Sequence, residues 1–290
     1  MHDDIADPSS INWSEAWKAR QQHRRAADDP AIWDQRARHF RPHATHPYST
    51  AFLEHAGVLS GETVLDMGCG AGSLAIPLAH NGALVLACDF SHAMLDTLRE
   101  CAEEASLGQQ ISCRHLAWED DWEACGIARK SVDVAIASRS IATTDLQAAL
   151  FKLDQTARRR CCTTLVVGPS PRYDARVMEG IGIDVTPSND FIYAFNMLIE
   201  LGRLPEVSYI VSPRLDTFDS LDEAVADYSR MLDDAHAHKL PELRSYLADH
   251  LLDNPHAGEP GGKGKPQGAL RLDHERTVTW AFISWNPAGA

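Results

Sequence analysis

The chain has 290 residues with a hydrophobic content of 44%, ample for a core, and no run reaches the roughly 18 apolar residues that a membrane span requires. Its 27 Lys and Arg against 41 Asp and Glu give a net charge of −14, which works against binding a polyanion, so nucleic acid is not an expected partner. The seven cysteines are irregularly spaced, which favours a reducing compartment over a disulfide framework. The N-terminus is acidic where a signal peptide has a basic region, so we expect a cytoplasmic protein.

Three segments with helical apolar spacing lie within residues 11–57, before the first predicted strand. Five aromatic side chains of these segments either pack the helices together or form an apolar lid: Trp13, Trp17, Trp33, Phe40 and Tyr48. His39, His43 and His46 follow one another closely, and three histidines can bind a metal ion. Their spacing is irregular and prolines interrupt it, so we predict no metal site and leave a general base open.

Residues 64–72 place an apolar strand directly before Gly68, Gly70 and Gly72. Glycine accepts positive φ and lets the backbone approach a ligand, and the N–H groups of the helix expected next face the same spot. The dinucleotide fingerprint needs a further glycine five residues after the first, where this chain has Ser73. Asp66 favours a ligand with a positive end, such as S-adenosylmethionine. A nicotinamide-dependent oxidoreductase is therefore disfavoured.

The following elements alternate as in a doubly wound domain. Strands are predicted at 62–67, 83–88, 111–116, 131–138 and 161–168, with helices between them. Ser91 is expected to cap a helix at 92–107 that Gly108 ends, and Arg158 to Arg160 are expected at the C-terminus of the helix after Asp145. Asp89 ends the second strand 21 positions after Gly68, where an acid reaches a ribose.

The stretches VLDMGCGAG and ACDFSHAML resemble the first two motifs of the class I S-adenosylmethionine-dependent methyltransferases, and the resemblance covers residues 60–168 well. It implies an α/β fold with a doubly wound, seven-stranded, mostly parallel sheet, whose closing antiparallel strands are 207–212 and 276–285. The expected organisation is an N-terminal helical lid at 1–57 and a methyltransferase core at 58–290. Within the core, 169–206 is expected to be an inserted substrate cap and the Gly/Pro-rich 253–268 a mobile loop.

The resemblance further implies S-adenosylmethionine as cofactor, with S-adenosylhomocysteine as product. Asp89 would accept both ribose hydroxyls, and Phe90 and Met94 would form apolar walls. Ala117 stands where the family commonly has an acid, so Trp118 is expected to offer its backbone N–H to the adenine and Glu119 its carboxylate. The complete set of expected cofactor contacts is Asp66, Gly68, Cys69, Gly70, Gly72, Asp89, Phe90, Met94, Trp118, Glu119 and Ser138.

After the fourth strand, this chain has Ser138-Arg139 where many nitrogen-methylating enzymes carry an Asn/Asp-Pro-Pro-aromatic motif, which disfavours DNA and exocyclic amines as acceptors. Arg139 would bind an anionic group of the acceptor or pair with a surface acid. Further candidate acceptor contacts, each with ordinary packing as the alternative, are Tyr48, Tyr173, Tyr193 and Asn196.

The predicted activity is that of a methyltransferase of class EC 2.1.1, which moves a methyl group by in-line displacement to a small or medium-sized molecule. A noncatalytic S-adenosylmethionine-binding or sensor protein of the same fold is the alternative. The sequence assigns no catalytic residue, does not identify the methylated atom, and leaves a homodimer open.

Overall fold

The computed structural model describes residues 10–22, 33–34, 37, 46–261 and 266–289. The chain divides into two compact units. The first unit comprises Met1–Leu165, Asp190–Tyr209 and Ala281–Ala290, and the second comprises Val166–Asn189 and Ile210–Trp280. The expected substrate cap at 169–206 is thus divided between the two units instead of forming one insertion. Among the helices described, none has the length and apolar character needed to cross a membrane.

The strands in the described residues are β1 (Thr63–Met67), β2 (Leu84–Asp89), β3 (Ile111–His115), β4 (Val132–Ser138), β5 (Ala157–Val167), β6 (Glu206–Arg214), β7 (Thr217–Phe218), β8 (Leu251–Asp253), β9 (Leu270–Leu272) and β10 (Arg276–Trp285). The helices are α1 (Trp13–Gln21), α2 (Pro47–Ala56), α3 (Ala75–His80), α4 (His92–Glu104), α5 (Leu146–Thr156), α6 (Ala175–Gly180), α7 (Phe191–Glu200), α8 (Leu221–Ser229), a 3-10 helix (Asp234–Lys239) and α9 (Leu240–His250).

A seven-stranded sheet has the strand order β3-β2-β1-β4-β5-β10-β6, which confirms the predicted fold class. The pairings β3 with β2, β2 with β1, β1 with β4 and β4 with β5 are parallel. β1, β2 and β4 are nearly continuous apolar runs with mostly buried residues, as parallel strands covered on both faces require. The order of the strands reverses between β1 and β4, so a crevice for a ligand is expected at their carboxyl ends.

Local sequence explains where the helices beside this crevice begin and end. Ser91 caps α4, its hydroxyl accepting the N–H of Met94 at 3.2 Å, which confirms the predicted cap. The helix ends at Glu104, earlier than predicted, because Ser106 already adopts a left-handed conformation with φ of 59°. The helix α2 ends at Ala56, and its C-cap Gly57 also takes the left-handed conformation.

The arginines at 158–160 lie in β5, so their predicted place at a helix C-terminus is wrong. Two of them have acidic partners there, and Arg160 donates to the carbonyl of His55 and the hydroxyl of Ser284. The Nε of Arg158 donates to Asp133 at 2.9 Å, and the Nε of Arg159 donates to Glu62 at 2.6 Å. The Arg158 guanidinium lowers the pKa of Asp133 to about 2. These pairs tie β5 to β4 and to the residue before β1, at the end of the sheet opposite the crevice.

Asp154 of α5 is a buried acid that holds the first unit together. It accepts two hydrogen bonds from Arg203, at 2.7 and 2.9 Å, and a third from the indole N–H of Trp285 at 3.1 Å. Its side chain is only 1% exposed. A bidentate guanidinium and an indole together satisfy a carboxylate that water cannot reach, so removal of one partner would leave a buried charge uncompensated.

The second unit has a core of its own and a small antiparallel sheet with the order β7-β9-β8. The core consists of Val177, Met178, Ile181, Phe218, Ala224, Tyr228, Leu243, Leu247 and Leu272. Residues 253–268, where we expect a mobile loop, are hydrogen-bonded in their described part. Asn254 is buried and donates to the carbonyl of Gly268 at 2.8 Å, and Gly258 donates to the carbonyl of Gln267 at 2.8 Å.

Candidate functional site

The three glycines after β1 all have positive φ, as their sequence predicts, but their surroundings differ. A β-carbon on Gly68 would lie 2.3 Å from the side chain of Ser140, and one on Gly72 would lie 2.3 Å from a methyl group of Leu98. A β-carbon on Gly70 would have no described atom within 4 Å. Gly68 and Gly72 therefore allow close internal packing, whereas Gly70 leaves backbone open to a ligand.

Asp89, at the end of β2, holds this loop in place. Its carboxylate accepts the N–H of Gly70 at 2.8 Å and the N–H of Ser91 at 2.9 Å, and the residue is 5% exposed. Burial raises the pKa of Asp89, and these backbone donors oppose the rise. A carboxylate has about four acceptor positions, so two remain for the predicted ribose hydroxyls. The loop-anchoring role was not visible in the sequence.

Asp66 lies on β1 immediately before the loop and is 2% exposed. Its Oδ2 is buried and has no hydrogen-bond partner among the described residues. Burial, with a further contribution from the charge of Asp89, raises the pKa of Asp66 to about 7. A buried acceptor without a donor is costly, and a cationic donor would satisfy it. The ammonium group of S-adenosylmethionine is such a donor, so the residues present fit this cofactor.

Part of the N-terminal segment packs against the loop. Ala37 and Trp33 form an apolar cluster with Ala71 and Met94, and Met94 is 2% exposed. In addition, the hydroxyl of Ser91 donates to Asp34 at 2.6 Å. Met94 thus packs between the loop and the N-terminal segment, its role as a wall for the cofactor stays a prediction, and Asp34 is a contact that sequence reasoning missed. Phe40, His39 and His43 lie outside the described residues.

Phe90 and the end of β3 form the next part of the site. Phe90 is half-buried, and its carbonyl lies 2.9 Å from Nε2 of His115. The ring of His115 stacks on that of His92, with centroids 4.0 Å apart and an interplanar angle of 7°. Sequence reasoning did not single out this histidine pair, because its members are distant in sequence. Cys69 is buried, and burial raises the pKa of its thiol, so the thiol stays neutral.

Trp118 is anchored by its side chain. Its indole N–H donates to the carbonyl of Ser140 at 2.9 Å, and its own carbonyl accepts from the Lys152 ammonium at 2.5 Å. Lys152 also donates to the carbonyl of Asp120 at 2.7 Å. The segment after β3 is therefore fixed against Ser140, the second residue after β4, and against Lys152 of α5. Glu119 is exposed.

A hydroxyl network joins α2 to the carboxyl ends of β4 and β5. The phenol of Tyr48 lies 2.7 Å from Oγ of Ser138 and 2.7 Å from Oγ1 of Thr164. Tyr48 is 1% exposed, and burial raises the pKa of its hydroxyl, so it remains protonated. The guanidinium of Arg139 lies 4.2 Å from the centroid of the Tyr48 ring. Tyr48, Ser138 and Arg139 are thus brought together as one group, and Thr164 is the member that the sequence did not indicate.

The other candidate acceptor contacts are placed elsewhere. The ring of Tyr193 packs against Trp13 and Trp17, with centroid distances of 6.0 and 5.5 Å. Asn196 donates its amide to a carbonyl of its own helix at 2.7 Å. Tyr173 belongs to the second unit and packs against that unit's core. For Tyr193 and Asn196, these contacts favour the packing alternative.

His46 is the described member of the histidine cluster, and it caps α2. Its Nδ1 accepts the N–H of Tyr48 at 3.2 Å. In the neutral ring the other nitrogen then carries the proton, so this histidine has no free acceptor for a substrate proton. Within the described ranges, no group of three His, Cys, Asp or Glu residues is arranged to hold a metal ion.

Sequence comparison connects this site with known proteins. Residues 64–159 match a family described as "Methyltransferase domain". An uncharacterized protein of Haemophilus influenzae is 32% identical over 209 residues, which are 69% of this chain and 74% of that protein. A ubiquinone biosynthesis O-methyltransferase of Acinetobacter baylyi is 42% identical over 93 residues, which are 30% of this chain and 39% of that protein.

Two solved structures share the fold. The YcgJ protein of Bacillus subtilis matches with a TM-score of 0.52 and 11% identity, over 84% of this chain and 99% of that chain. A putative methyltransferase of Bacillus halodurans matches with a TM-score of 0.51 and 13% identity, over 83% of this chain and 99% of that chain. At these identities the likeness concerns the fold alone.

Proposed function

This chain belongs to the class I S-adenosylmethionine-dependent methyltransferases, and from that premise we propose that it transfers the methyl group by in-line displacement to a small or medium-sized molecule. The enzyme class is EC 2.1.1. The observation that carries the proposal is the buried, unpartnered Oδ2 of Asp66 beside the open backbone of Gly70. Together they offer an acceptor for an ammonium group and a surface against which a flat ligand can lie.

The residues of the first unit have separate tasks in this scheme. Asp66 would pair with the ammonium group, and Asp89 would bind the ribose while it keeps Gly70 in place. Phe90 and Met94 would flank the nucleoside. The remaining proposed cofactor contacts are Gly68, Cys69, Gly72, Trp118, Glu119 and Ser138. When bound, S-adenosylmethionine supplies an electrophilic methyl group on a sulfonium.

Positioning is the main catalytic contribution that we propose for the protein. An activated methyl group needs an aligned acceptor and the exclusion of water, and such alignment contributes on the order of 7–11 kcal/mol to the lowering of a barrier. Tyr48, Ser138 and Thr164 form a rigid, uncharged wall at the strand ends, where an acceptor could be oriented. We assign no general base.

The relatives support methyl transfer but do not supply the acceptor. The Acinetobacter baylyi protein is named for O-methylation in ubiquinone biosynthesis, and the chain matches less than half of its length. We therefore take from it the reaction class and leave the acceptor and the methylated atom to experiment.

The decisive experiment measures cofactor binding and turnover separately. Calorimetry should detect binding of S-adenosylmethionine but not of NADH. Incubation of the protein and S-adenosylmethionine with a metabolite extract should form S-adenosylhomocysteine. Asp89→Asn should weaken cofactor affinity at least about tenfold, because it removes charge-assisted hydrogen bonds. The matched control Asp96→Asn, at an exposed position on α4, should bind like wild type. Binding without product in any extract would favour the sensor alternative, and absence of binding would refute the cofactor assignment.

We also propose a small-molecule acceptor in preference to nucleic acid, supported by the net charge of −14. A cytoplasmic location is proposed because all seven cysteines are free, which fits a reducing compartment. Fractionation of cells tests the location, and sedimentation tests whether the chain forms a homodimer.

A further inference from the structure

Arg139 follows β4 with a backbone φ of 57°, a conformation that residues other than glycine rarely adopt. A specific contact holds it there. The backbone N–H of Arg139 donates to Oγ1 of Thr164 at 3.0 Å, and Thr164 is itself held by the hydroxyl of Tyr48. Strained backbone that neighbours impose in this way is concentrated at ligand sites. The strain fixes the direction in which the Arg139 side chain leaves the sheet.

The Arg139 side chain is exposed to solvent, but it packs on a buried aromatic ring. Its guanidinium lies over the ring of Tyr48, which is buried and has its hydroxyl held by Ser138 and Thr164. An aromatic face orients a guanidinium while leaving its N–H groups free to donate. The chain thus presents a preorganised cation at the carboxyl end of β4.

The charge of Arg139 is not compensated by a carboxylate in the described part of the chain. Three other arginines of the first unit differ in this respect, since Arg158, Arg159 and Arg203 each pair with an acid within 3 Å. Arg114 and Arg160 donate instead to carbonyl or hydroxyl oxygens of the chain. The sequence has 41 acidic residues, so acidic partners are plentiful. A strained, oriented cation without such a partner is available for an anion from outside the chain.

Arg139 also lies beside the cofactor loop. The next residue, Ser140, donates its hydroxyl to the carbonyl of Met67 at 2.7 Å and packs against Gly68. The strand end that carries Arg139 is therefore in direct contact with the loop that follows β1. An anion on Arg139 would be bound next to the proposed cofactor site, in the same unit.

We propose that Arg139 binds the methyl acceptor through a carboxylate group, so that the acceptor is a small organic acid. This inference rests on the proposed function, because it concerns the acceptor of the same site. A carboxylate matches the planar guanidinium with two parallel hydrogen bonds. Tyr48 is the positioning residue that keeps the guanidinium in place.

Anion exchange provides the first test. A metabolite extract is separated into a retained, anionic fraction and a neutral and cationic flow-through, and S-adenosylhomocysteine formation is measured with each. The acceptor should be retained, and its activity should survive phosphatase treatment. Acceptor activity in the flow-through overturns the inference while the proposed function stands, and loss of activity after phosphatase treatment overturns the carboxylate assignment.

Variants provide the second test. Arg139→Gln should lower kcat/KM for the retained acceptor about 10- to 100-fold, as expected for loss of a charge-assisted pair, and leave the affinity for S-adenosylmethionine unchanged. Arg139→Lys should retain part of the activity. Arg230→Gln, which removes an arginine that is 77% exposed in the second unit, should behave like wild type. A kcat/KM of Arg139→Gln equal to that of wild type overturns the inference.

A direct binding measurement does not depend on turnover. Benzoate and benzamide are titrated into the protein saturated with S-adenosylhomocysteine, and the shift of the melting temperature is recorded. Benzoate should stabilise wild type more than Arg139→Gln, and benzamide should not distinguish the two proteins. Equal responses of wild type and Arg139→Gln to benzoate overturn the assignment. Failure of the protein to bind S-adenosylmethionine would instead refute the proposed function.

Discussion

Replacing Asp66 by asparagine is expected to stabilise the cofactor-free protein at pH 8 and to weaken its affinity for S-adenosylmethionine. Asp66 is 2% exposed, its Oδ2 has no partner among the described residues, and burial raises its pKa from 3.8 to about 7. Above pH 7 the folded protein therefore contains a buried carboxylate without a cation. Asparagine is uncharged at every pH, so the variant avoids this cost.

The size of the effect follows from the pKa difference. The pKa of Asp66 is about three units higher in the folded than in the unfolded state, and each unit corresponds to about 1.4 kcal/mol. Ionisation of Asp66 therefore lowers the free energy of unfolding by roughly 4 kcal/mol relative to the protonated form. The asparagine amide would in turn be left unpaired, at a cost of about 1–3 kcal/mol. The variant should thus be more stable than wild type by roughly 1–3 kcal/mol at pH 8, and less stable than wild type by about 1–3 kcal/mol at pH 4, where Asp66 is protonated and only the cost of the amide remains.

The sign of the pH dependence can be stated separately. Between about pH 4 and pH 7 the unfolded state releases the Asp66 proton while the folded state keeps it. This carboxyl's contribution to wild-type stability therefore falls as pH rises through that window and is constant above it. The asparagine variant should lack this part of the slope.

Urea unfolding of the cofactor-free proteins between pH 4 and pH 8, with calorimetry of S-adenosylmethionine binding at pH 8, measures both effects. Asp96→Asn is the control, since that aspartate is 67% exposed and its replacement removes no buried charge. The reasoning is refuted if Asp66→Asn is less stable than wild type at pH 8 or keeps the wild-type pH slope. Unchanged cofactor affinity would show that Asp66 does not receive the ammonium group.

Other substitutions test the site and the core around it. Gly70→Ala should weaken S-adenosylmethionine binding and lower stability by about 1–2 kcal/mol. Gly72→Ala should mainly destabilise the fold, because its β-carbon would overlap a methyl group of Leu98. Equal effects of the two variants in both urea unfolding and calorimetry would contradict this division. Tyr48→Phe removes a buried hydroxyl from a three-member network and should cost about 1–3 kcal/mol in urea unfolding without changing cofactor affinity. Arg203→Gln leaves Asp154 buried and partly unpaired, so it should lower the free energy of unfolding by about 3–5 kcal/mol. Adding Asp154→Asn should recover part of this stability. An unchanged urea midpoint of Arg203→Gln would argue against a stabilising pair.

Local sequence predicted the elements around the crevice well, because each depends on near neighbours. The glycines at 68, 70 and 72 have the positive φ that their spacing suggested, and Ser91 caps the helix after β2. The alternation of strands and helices predicted a doubly wound, mostly parallel sheet, and the central strand order β3-β2-β1-β4-β5 agrees with it. Propensity was misleading at 158–160, where partners distant in sequence place three arginines in a strand.

The acceptor side was less predictable, because it is assembled from residues that are far apart in the sequence. Tyr48 meets Thr164 across 116 positions, and Thr164 in turn accepts the backbone N–H of Arg139. Of the candidate contacts, Tyr48, Ser138 and Arg139 come together, whereas Tyr193 and Asn196 make contacts within and between helices. The positions of these residues along the sequence do not show which of them come together.

The sequence by itself determined the conformation of the glycine loop proposed to bind the cofactor, since positive φ, a preceding acid and a following helix are encoded within a few residues of one another. It also determined the acid at the end of β2. Only the tertiary structure decided which glycine faces open space, that Asp89 anchors the loop, and that Asp66 is buried without a partner. Burial, unsatisfied hydrogen bonds and the pairing of charges depend on which distant side chains share a volume, and no local pattern of residues specifies that.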